Sequence, residues 1–191
     1  MAGAAGGLRL ESPAGATTRP TAERVREAVF SAIGGAARGA SVLDLYAGTG
    51  ALAIEALSRG ASRALLVERD HREADVCRRN LERTGFADAA RVLEDDVDRF
   101  LVRPAPPEAP FGVVCCDAPY SVPDAAIDAV LAGLDAPGWC EPSALVAVER
   151  PLGSRCLAPP AWEHRFSRSY GDTLVHLWST GASGPATRPD A

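Results

Sequence analysis

Residues 41–55 read Ser41-Val42-Leu43-Asp44-Leu45-Tyr46-Ala47-Gly48-Thr49-Gly50-Ala51-Leu52-Ala53-Ile54-Glu55. A short apolar run, Ser41 to Tyr46, meets a glycine turn and then a helix-forming stretch over Ala51 to Arg59. The run is short enough for a strand and lacks the alternation of a half-exposed one, so it reads as buried on both faces.

The same alternation continues outward from it. Ala64 to Glu68, Arg91 to Glu94, Phe111 to Asp117 and Leu145 to Glu149 are further strand candidates. His71 to Arg83, Val97 to Leu101 and Ala125 to Leu134 are the intervening helices. Continuous apolar strands joined by helices specify a parallel sheet covered on both sides. The end of the chain differs. Arg165 to Tyr170, Gly171-Asp172 and Thr173 to Trp178 read as a hairpin, so an antiparallel pair closes a mainly parallel sheet.

Before residue 41 the chain is of another kind. Residues 1–20, rich in Gly, Ala, Thr and Pro, suggest an extended arm or a weak hairpin around Leu8 to Leu10. Thr21 is placed to cap a helix over Ala22 to Ile33, with apolar residues at Val25, Val29, Phe30 and Ile33. The expected organisation is an arm and helix over 1–38, a main domain over 39–180 and a disordered polar tail over 181–191.

Composition narrows the function. The chain has 191 residues and a formal net charge of −5, and every one of its 20 cations is Arg. An acidic total argues against nonspecific coating of nucleic acid, while leaving room for a local Arg-lined face. No apolar run is long enough to span a membrane, and Met1 to Leu10 lacks the pattern of a secretion signal, so a cytoplasmic protein is expected. Cys77, Cys115, Cys116, Cys140 and Cys156 have no zinc-type spacing, and His71, His164 and His176 form no ligand motif, so no metal is expected. No apolar stripe is left unexplained, which favours a monomer.

The glycine turn over Asp44 to Gly50 lies where doubly wound sheets bind ligands. Gly48-Thr49-Gly50-Ala51-Leu52-Ala53 fits the G-x-G-x-x-A of dinucleotide sites. Asp44, however, puts a carboxylate beside the loop, where it would repel a pyrophosphate and suit a cation. Glu68 ends the second strand and can accept both hydroxyls of a ribose. Asp95-Asp96 follows the third, placed to accept from an adenine amine. Three acidic strand ends favour S-adenosylmethionine, which carries an ammonium and a sulfonium. A dinucleotide and a plain strand-to-helix turn are the alternatives.

Asp117-Ala118-Pro119-Tyr120 ends the fourth strand. An exocyclic amine on a nucleobase is a poor nucleophile, because its lone pair is delocalised into the ring. Acceptors that draw the nitrogen towards tetrahedral geometry correct this, and the Asp117 carboxylate and Ala118 carbonyl can supply two. Pro119 fixes its own φ. Tyr120 offers a ring for a base to stack on, worth about 1–3 kcal/mol. The plain alternative is a proline turn with Asp117 as a local cap.

These residues together resemble the class I S-adenosylmethionine-dependent methyltransferases of the N/D-P-P-Y/F type. Arg19-Pro20-Thr21-Ala22-Glu23-Arg24-Val25-Arg26-Glu27-Ala28-Val29-Phe30, Leu43 to Leu52, Glu55 to Ala61 and Tyr170-Gly171-Asp172-Thr173 narrow the resemblance to the RsmD family. Ala118 stands where that family's turn usually has the first of two prolines.

The resemblance implies a seven-stranded Rossmann-like sheet with an N-terminal hairpin and helix, S-adenosylmethionine as cofactor, and direct in-line methylation of a guanine N2 in 16S rRNA. The RNA would be met within a small-subunit assembly particle. It implies Asp44, Gly48 and Gly50 at the methionine end, with Tyr46, Ala47 and Thr49 of the same loop. Glu68 with Arg69 would serve the ribose, and Asp96 with Val97 the adenine. Asp117, Ala118, Pro119 and Tyr120 would hold the guanine. Arg19, Thr21, Arg24 and Arg26 would close the site or touch RNA. For the three arginines the competing reading is a solvated helix face pairing with Glu23 and Glu27. Arg72, Arg78, Arg79 and Arg83, set among acids, read as a solvated face. An adenine-N6 DNA methyltransferase and a noncatalytic adenosyl-binding paralogue remain as alternatives.

Overall fold

The computed structural model describes residues 7–12 and 20–181. Seven strands form one sheet: β1 (Ser41–Leu45), β2 (Arg63–Glu68), β3 (Ala90–Glu94), β4 (Phe111–Cys116), β5 (Cys140–Pro151), β6 (Glu163–Tyr170) and β7 (Thr173–Ser179). Their order is β3-β2-β1-β4-β5-β7-β6. The first five in that order are parallel, and β7 runs antiparallel between β5 and β6. The helices are α1 (Pro20–Ile33), α2 (Ala51–Ser58), α3 (His71–Thr84), α4 (Val97–Leu101) and α5 (Asp124–Leu134).

The apolar strands are continuous because both of their faces are covered. Leu43, Leu45, Val114, Val146 and Val148 point into a core shared with α4 and α5. Val42, Val113, Cys115 and Ala147 point into a second core under α1, α2 and α3. Chain order runs outward from β1 through β2 to β3 on one side and from β4 to β5 on the other. The point where it reverses, between the ends of β1 and β4, is where such sheets leave a crevice.

Two local expectations need correction. Thr21 does not cap α1: the helix begins a residue earlier, at Pro20, whose fixed φ suits a first helical position. The extended arm or weak hairpin expected over residues 1–20 falls mostly outside the described residues; residues 7–12 carry no strand. β5 starts at Cys140 rather than Leu145. Cys140 pairs with Phe111, the register then shifts, and Leu145 resumes opposite Val113. Ser143 takes a φ of 61° in this irregular stretch, and its polar neighbours hide the strand from a hydrophobicity reading. The expected tail lies almost wholly outside the described residues.

The segment after β4 is tied down by Arg150 of β5. Only 2% exposed, it donates to the Val122 carbonyl and to Asp124 Oδ1 at 3.3 Å. Asp124 also accepts from Ser154 Oγ at 2.6 Å and Arg155 N at 2.7 Å, which holds its carboxyl below the usual range. Both ends of the segment over 117–124 are therefore fixed to the sheet.

Candidate functional site

A cleft of about 690 Å³ opens at the C-terminal ends of β1, β2 and β4. Tyr46, Ala47, Gly48 and Thr49 form one wall, Glu68 and Arg69 a second, and Asp117, Ala118, Pro119 and Tyr120 a third. Ten of the expected site residues thus meet in one space.

The glycine loop is shaped by its backbone. Tyr46 adopts a φ of 60°, which is uncommon for a non-glycine residue and concentrates at functional turns. Gly50 caps α2 at a φ of 77°. Glu68 braces the loop from below: Oε2 accepts from Gly48 N and Oε1 from Asp70 N, both at 2.8 Å. Each oxygen keeps a free lone pair for a hydroxyl. Behind the loop, buried Asn80 of α3 donates to the Thr49 carbonyl at 3.0 Å. The same side chain accepts from Glu11 N at 2.7 Å and donates to Glu11 O at 3.1 Å, which straps the arm to the loop.

Other expected residues sit elsewhere. Asp44 does not line the cleft. It is 1% exposed beneath the loop, where Oδ2 accepts from Ala53 N at 2.9 Å and Oδ1 has no partner. Burial pushes its carboxyl well above the usual range, with Asp117 and Glu68 adding to the effect. Gly50 faces the core, against Cys77 and Leu66. Asp96 caps α4, accepting from Asp98 N at 3.0 Å and Arg99 N at 3.4 Å, and stands 4.0 Å from Arg69 at the rim. Val97 is buried in the core.

Of the arginines, Arg26 turns inward. Its Nε lies 3.7 Å from Glu55 of α2, so it neither pairs with Glu23 or Glu27 nor reaches outward. Glu55, 1% exposed, also accepts from Arg59 at 2.8 Å. Arg24 is exposed. Arg19 and the Thr21 side chain lie outside the described residues. Arg79 and Arg83 are not merely solvated: both reach Glu11 of the arm, at 3.0 and 3.7 Å.

Three acids were not anticipated. Asp70 and Glu73 line the cleft beside Glu68, so the cavity is more anionic than the strand ends alone suggest. Burial raises the Glu73 carboxyl, with Glu68 and Asp70 contributing. The third is Glu149. Val148 pairs with Cys116 in register, which sets Glu149 beside Asp117 on adjacent parallel strands. Glu149 lines a small recess with Val29, Cys115 and Ala147, and Leu52 lines both this recess and the cleft. Nothing in the sequence marked it, since it reads as the last residue of an apolar strand.

Asp117 keeps an open edge towards the cleft, yet the surrounding walls strip water from most of its environment. This pushes its carboxyl up to about 6, against the opposing pull of Arg150. Burial, Asp117 and Asp172 together push Glu149 up to about 8. Burial thus biases the pair towards keeping a proton that isolated carboxyls would release. Tyr120 is fixed by a 2.7 Å bond between its hydroxyl and that of Thr173.

An orphaned buried carboxylate oxygen, a loop without side-chain bulk at Gly48 and four acids on the walls fit a ligand bearing positive charge and hydroxyls. Among the described residues no group of three or more His, Cys, Asp or Glu side chains is placed to hold a metal ion, and no helix is long and apolar enough to cross a membrane.

The comparisons with known proteins agree with this geometry. The family model described as conserved hypothetical protein 95 matches residues 1–179. Ribosomal RNA small subunit methyltransferase D of Escherichia coli (strain K12) is 31% identical over 179 residues, 93% of this chain and 87% of that protein. YlbH of Bacillus subtilis (strain 168) is 38% identical over 120 residues, 63% of this chain; the match spans 65% of its length, just under two thirds. The solved structure of YhhF from Escherichia coli superposes with a TM-score of 0.80 at 30% identity, covering 92% of this chain and 93% of that one.

Proposed function

The chain belongs to the RsmD family of methyltransferases, and from that premise we propose that it methylates the exocyclic N2 of a guanine in 16S rRNA, using S-adenosylmethionine. The observation that carries this reading is the meeting of the Asp117–Tyr120 turn, the Gly48 loop and Glu68 around one cleft. We assign the RNA, in a partly assembled small subunit, as the partner of a cytoplasmic monomer.

When bound, S-adenosylmethionine supplies an electrophilic methyl on a sulfonium, open to direct in-line displacement. The protein's part is to orient and to manage charge. Glu68 would hold the ribose hydroxyls, and Arg69 and Asp96 at the rim would serve the adenine end. Asp44, beneath the loop, would attract the ammonium through its charge rather than by direct contact, and the Gly48 loop would allow close approach. Asp117 and the Ala118 carbonyl would accept from the guanine amine while Tyr120 stacks on the base. These acceptors match the positive charge that grows on nitrogen. Asp117 then takes the proton the product amine sheds.

The acceptors of the Asp117–Tyr120 turn suit guanine better than adenine. Guanine presents N1–H and N2–H2 as adjacent donors, whereas adenine presents a donor amine beside an acceptor N1. The Asp117 carboxylate and the Ala118 carbonyl, both on the cleft wall, offer acceptors for both guanine groups.

Tritium from labelled S-adenosylmethionine should enter unmodified small-subunit rRNA and not duplex DNA. Labelling of the DNA alone would overturn the reading.

Asp44→Asn should separate stability from binding. The folded state holds the Asp44 proton more tightly than the unfolded chain, so the contribution of this group is full below the usual carboxylate range and is lost as pH rises. At neutral pH the amide variant should therefore melt no lower than the parent. Its gain in melting temperature on adding S-adenosylhomocysteine, which keeps the ammonium, should shrink by more than half. A lower melting point with undiminished ligand response would contradict this placement.

Titration of the pair gives a second expectation. Asp117 opposes the growing positive charge and takes up the shed proton only when ionised, so kcat/KM should rise with pH through about 6. Glu149 acts on stability in the same direction as Asp44: its contribution is full below its ordinary range near 4.5 and is lost as pH rises through about 8. Between pH 5 and 9 the parent should therefore lose melting temperature relative to Glu149→Gln, by several degrees in a domain of this length. Parallel melting curves would show that Glu149 ionises freely.

A further inference from the structure

A second depression, of about 480 Å³, lies between α1 and β6, outside the cleft. β6 is the edge strand of the sheet. The register with β7 slips between His164 and Phe166, leaving Arg165 as the extra residue of a bulge. The bulge puts Arg165 on the same side as Phe166, Arg168 and Tyr170, and all four line the depression. The Arg168 guanidinium lies over the Phe166 ring, 4.9 Å from its centroid. The opposite wall is made by Ala28, Ser31 and Ala32 of α1, whose small side chains keep the groove open. Arg24 precedes Ala28 by four residues and Ser31 by seven, so it shares their helix face.

The groove is thus a cationic channel with aromatic rings in its floor, on a chain whose net charge is −5. Arg24 and Arg168 have no ion pair among the described residues, and Arg165 has only an exposed one, to Glu163 at 2.9 Å. Exposed pairs of that kind exchange readily for a better anion. The acids on the flanking elements are Glu23 and Glu27 of α1 and Asp172 in the β6–β7 turn.

One end of the groove adjoins the base platform. Tyr170 pairs in register with Thr173, and the Thr173 hydroxyl is the one that holds Tyr120. From Tyr170 back to Arg165 the strand runs about 17 Å, at the rise of an extended chain.

We propose that the groove between α1 and the edge strand β6 is the track along which the sugar-phosphate backbone of the substrate RNA, next to the reacting base, is held. The proposal rests on the rRNA reading above and adds the surface that reading lacks. The arginines neutralise phosphates, while Phe166 and Tyr170 offer faces to unpaired bases. Neutral peptides and small acids would gain little from so open a groove, whereas a polyanion gains from each added contact.

The test is binding of unmodified small-subunit rRNA by the full chain across a salt series, together with methylation kinetics. The Arg24→Gln/Arg165→Gln/Arg168→Gln variant should bind roughly tenfold more weakly at physiological salt, and the slope of log K against log salt should shrink by about 2. Its affinity for S-adenosylhomocysteine should be unchanged. The matching triple Lys variant should recover most of the binding, and Arg91→Gln, on the opposite sheet edge, should leave it untouched. An unaltered slope and affinity in the triple Gln variant, with the parent binding and methylating rRNA, would overturn the groove alone. A parent that neither binds nor methylates rRNA would overturn the functional reading and the groove with it.

Discussion

Asp117→Ala is expected to lower kcat for methyl transfer by about 10²–10³-fold while leaving cofactor affinity within about twofold, because it removes one acceptor aimed at a charge that develops only in the reaction. The residue follows β4 directly and is open to the cleft at the end where the Tyr120 ring stands. Its loss leaves the Glu68 bonds to the glycine loop intact. Single-turnover rates alongside calorimetric titration with S-adenosylhomocysteine would measure both quantities. Asp117→Asn retains one acceptor oxygen and should fall between the parent and the alanine variant. An alanine variant with a normal rate would remove Asp117 from the chemistry. One that fails to bind the nucleoside would move it to the cofactor side of the cleft.

The second large effect concerns stability. Gly50 has a φ of 77°, and a Cβ built there lies 2.7 Å from Cys77 Sγ and 3.2 Å from Leu66 Cδ2. Both neighbours are fully buried, so neither can withdraw. Gly50→Ala combines a left-handed backbone penalty of about 1–2 kcal/mol with an overpacking cost of about 1–3 kcal/mol. Together these should lower the melting temperature by about 10 °C in a domain of this size. Gly48→Ala is the contrast. Its Cβ would meet only Glu73 Oε2, at 3.6 Å, so the backbone term alone applies and the drop should be about a third as large. Adding Cys77→Ala to Gly50→Ala should restore part of the loss. Equal melting points for the two glycine variants would mean that the contact with Cys77 is unimportant.

Much of this architecture is legible in the sequence, because burial on both faces leaves a plain mark. β1 and β4 appear as apolar runs bounded by a glycine turn at one end and by Asp117 at the other, and the Gly171-Asp172 turn announces the closing hairpin. The start of β5 is hidden because Glu141, Pro142 and Ser143 sit in an irregular stretch where side chains do not alternate with burial. Asp44 shows how spacing finds a residue without giving its surroundings. Hydropathy shows only that it interrupts an apolar run, whereas the fold shows one oxygen accepting from the first turn of α2 and the other left unpartnered. Arg26 and Glu149 are contacts between distant segments, α1 with α2 and β4 with β5, and no local pattern encodes them. The β6 groove depends on a one-residue register slip, which turns Arg165 to a face that simple alternation would deny it.

The most direct measurement is the identity of the nucleoside that carries the methyl group. Small-subunit rRNA lacking the modification would be incubated with the full chain and labelled S-adenosylmethionine, digested to nucleosides and separated against standards. The account predicts a single labelled product, N2-methylguanosine, formed by the parent and absent with Asp117→Ala. Label in N6-methyladenosine, or equal label with both proteins, would contradict it.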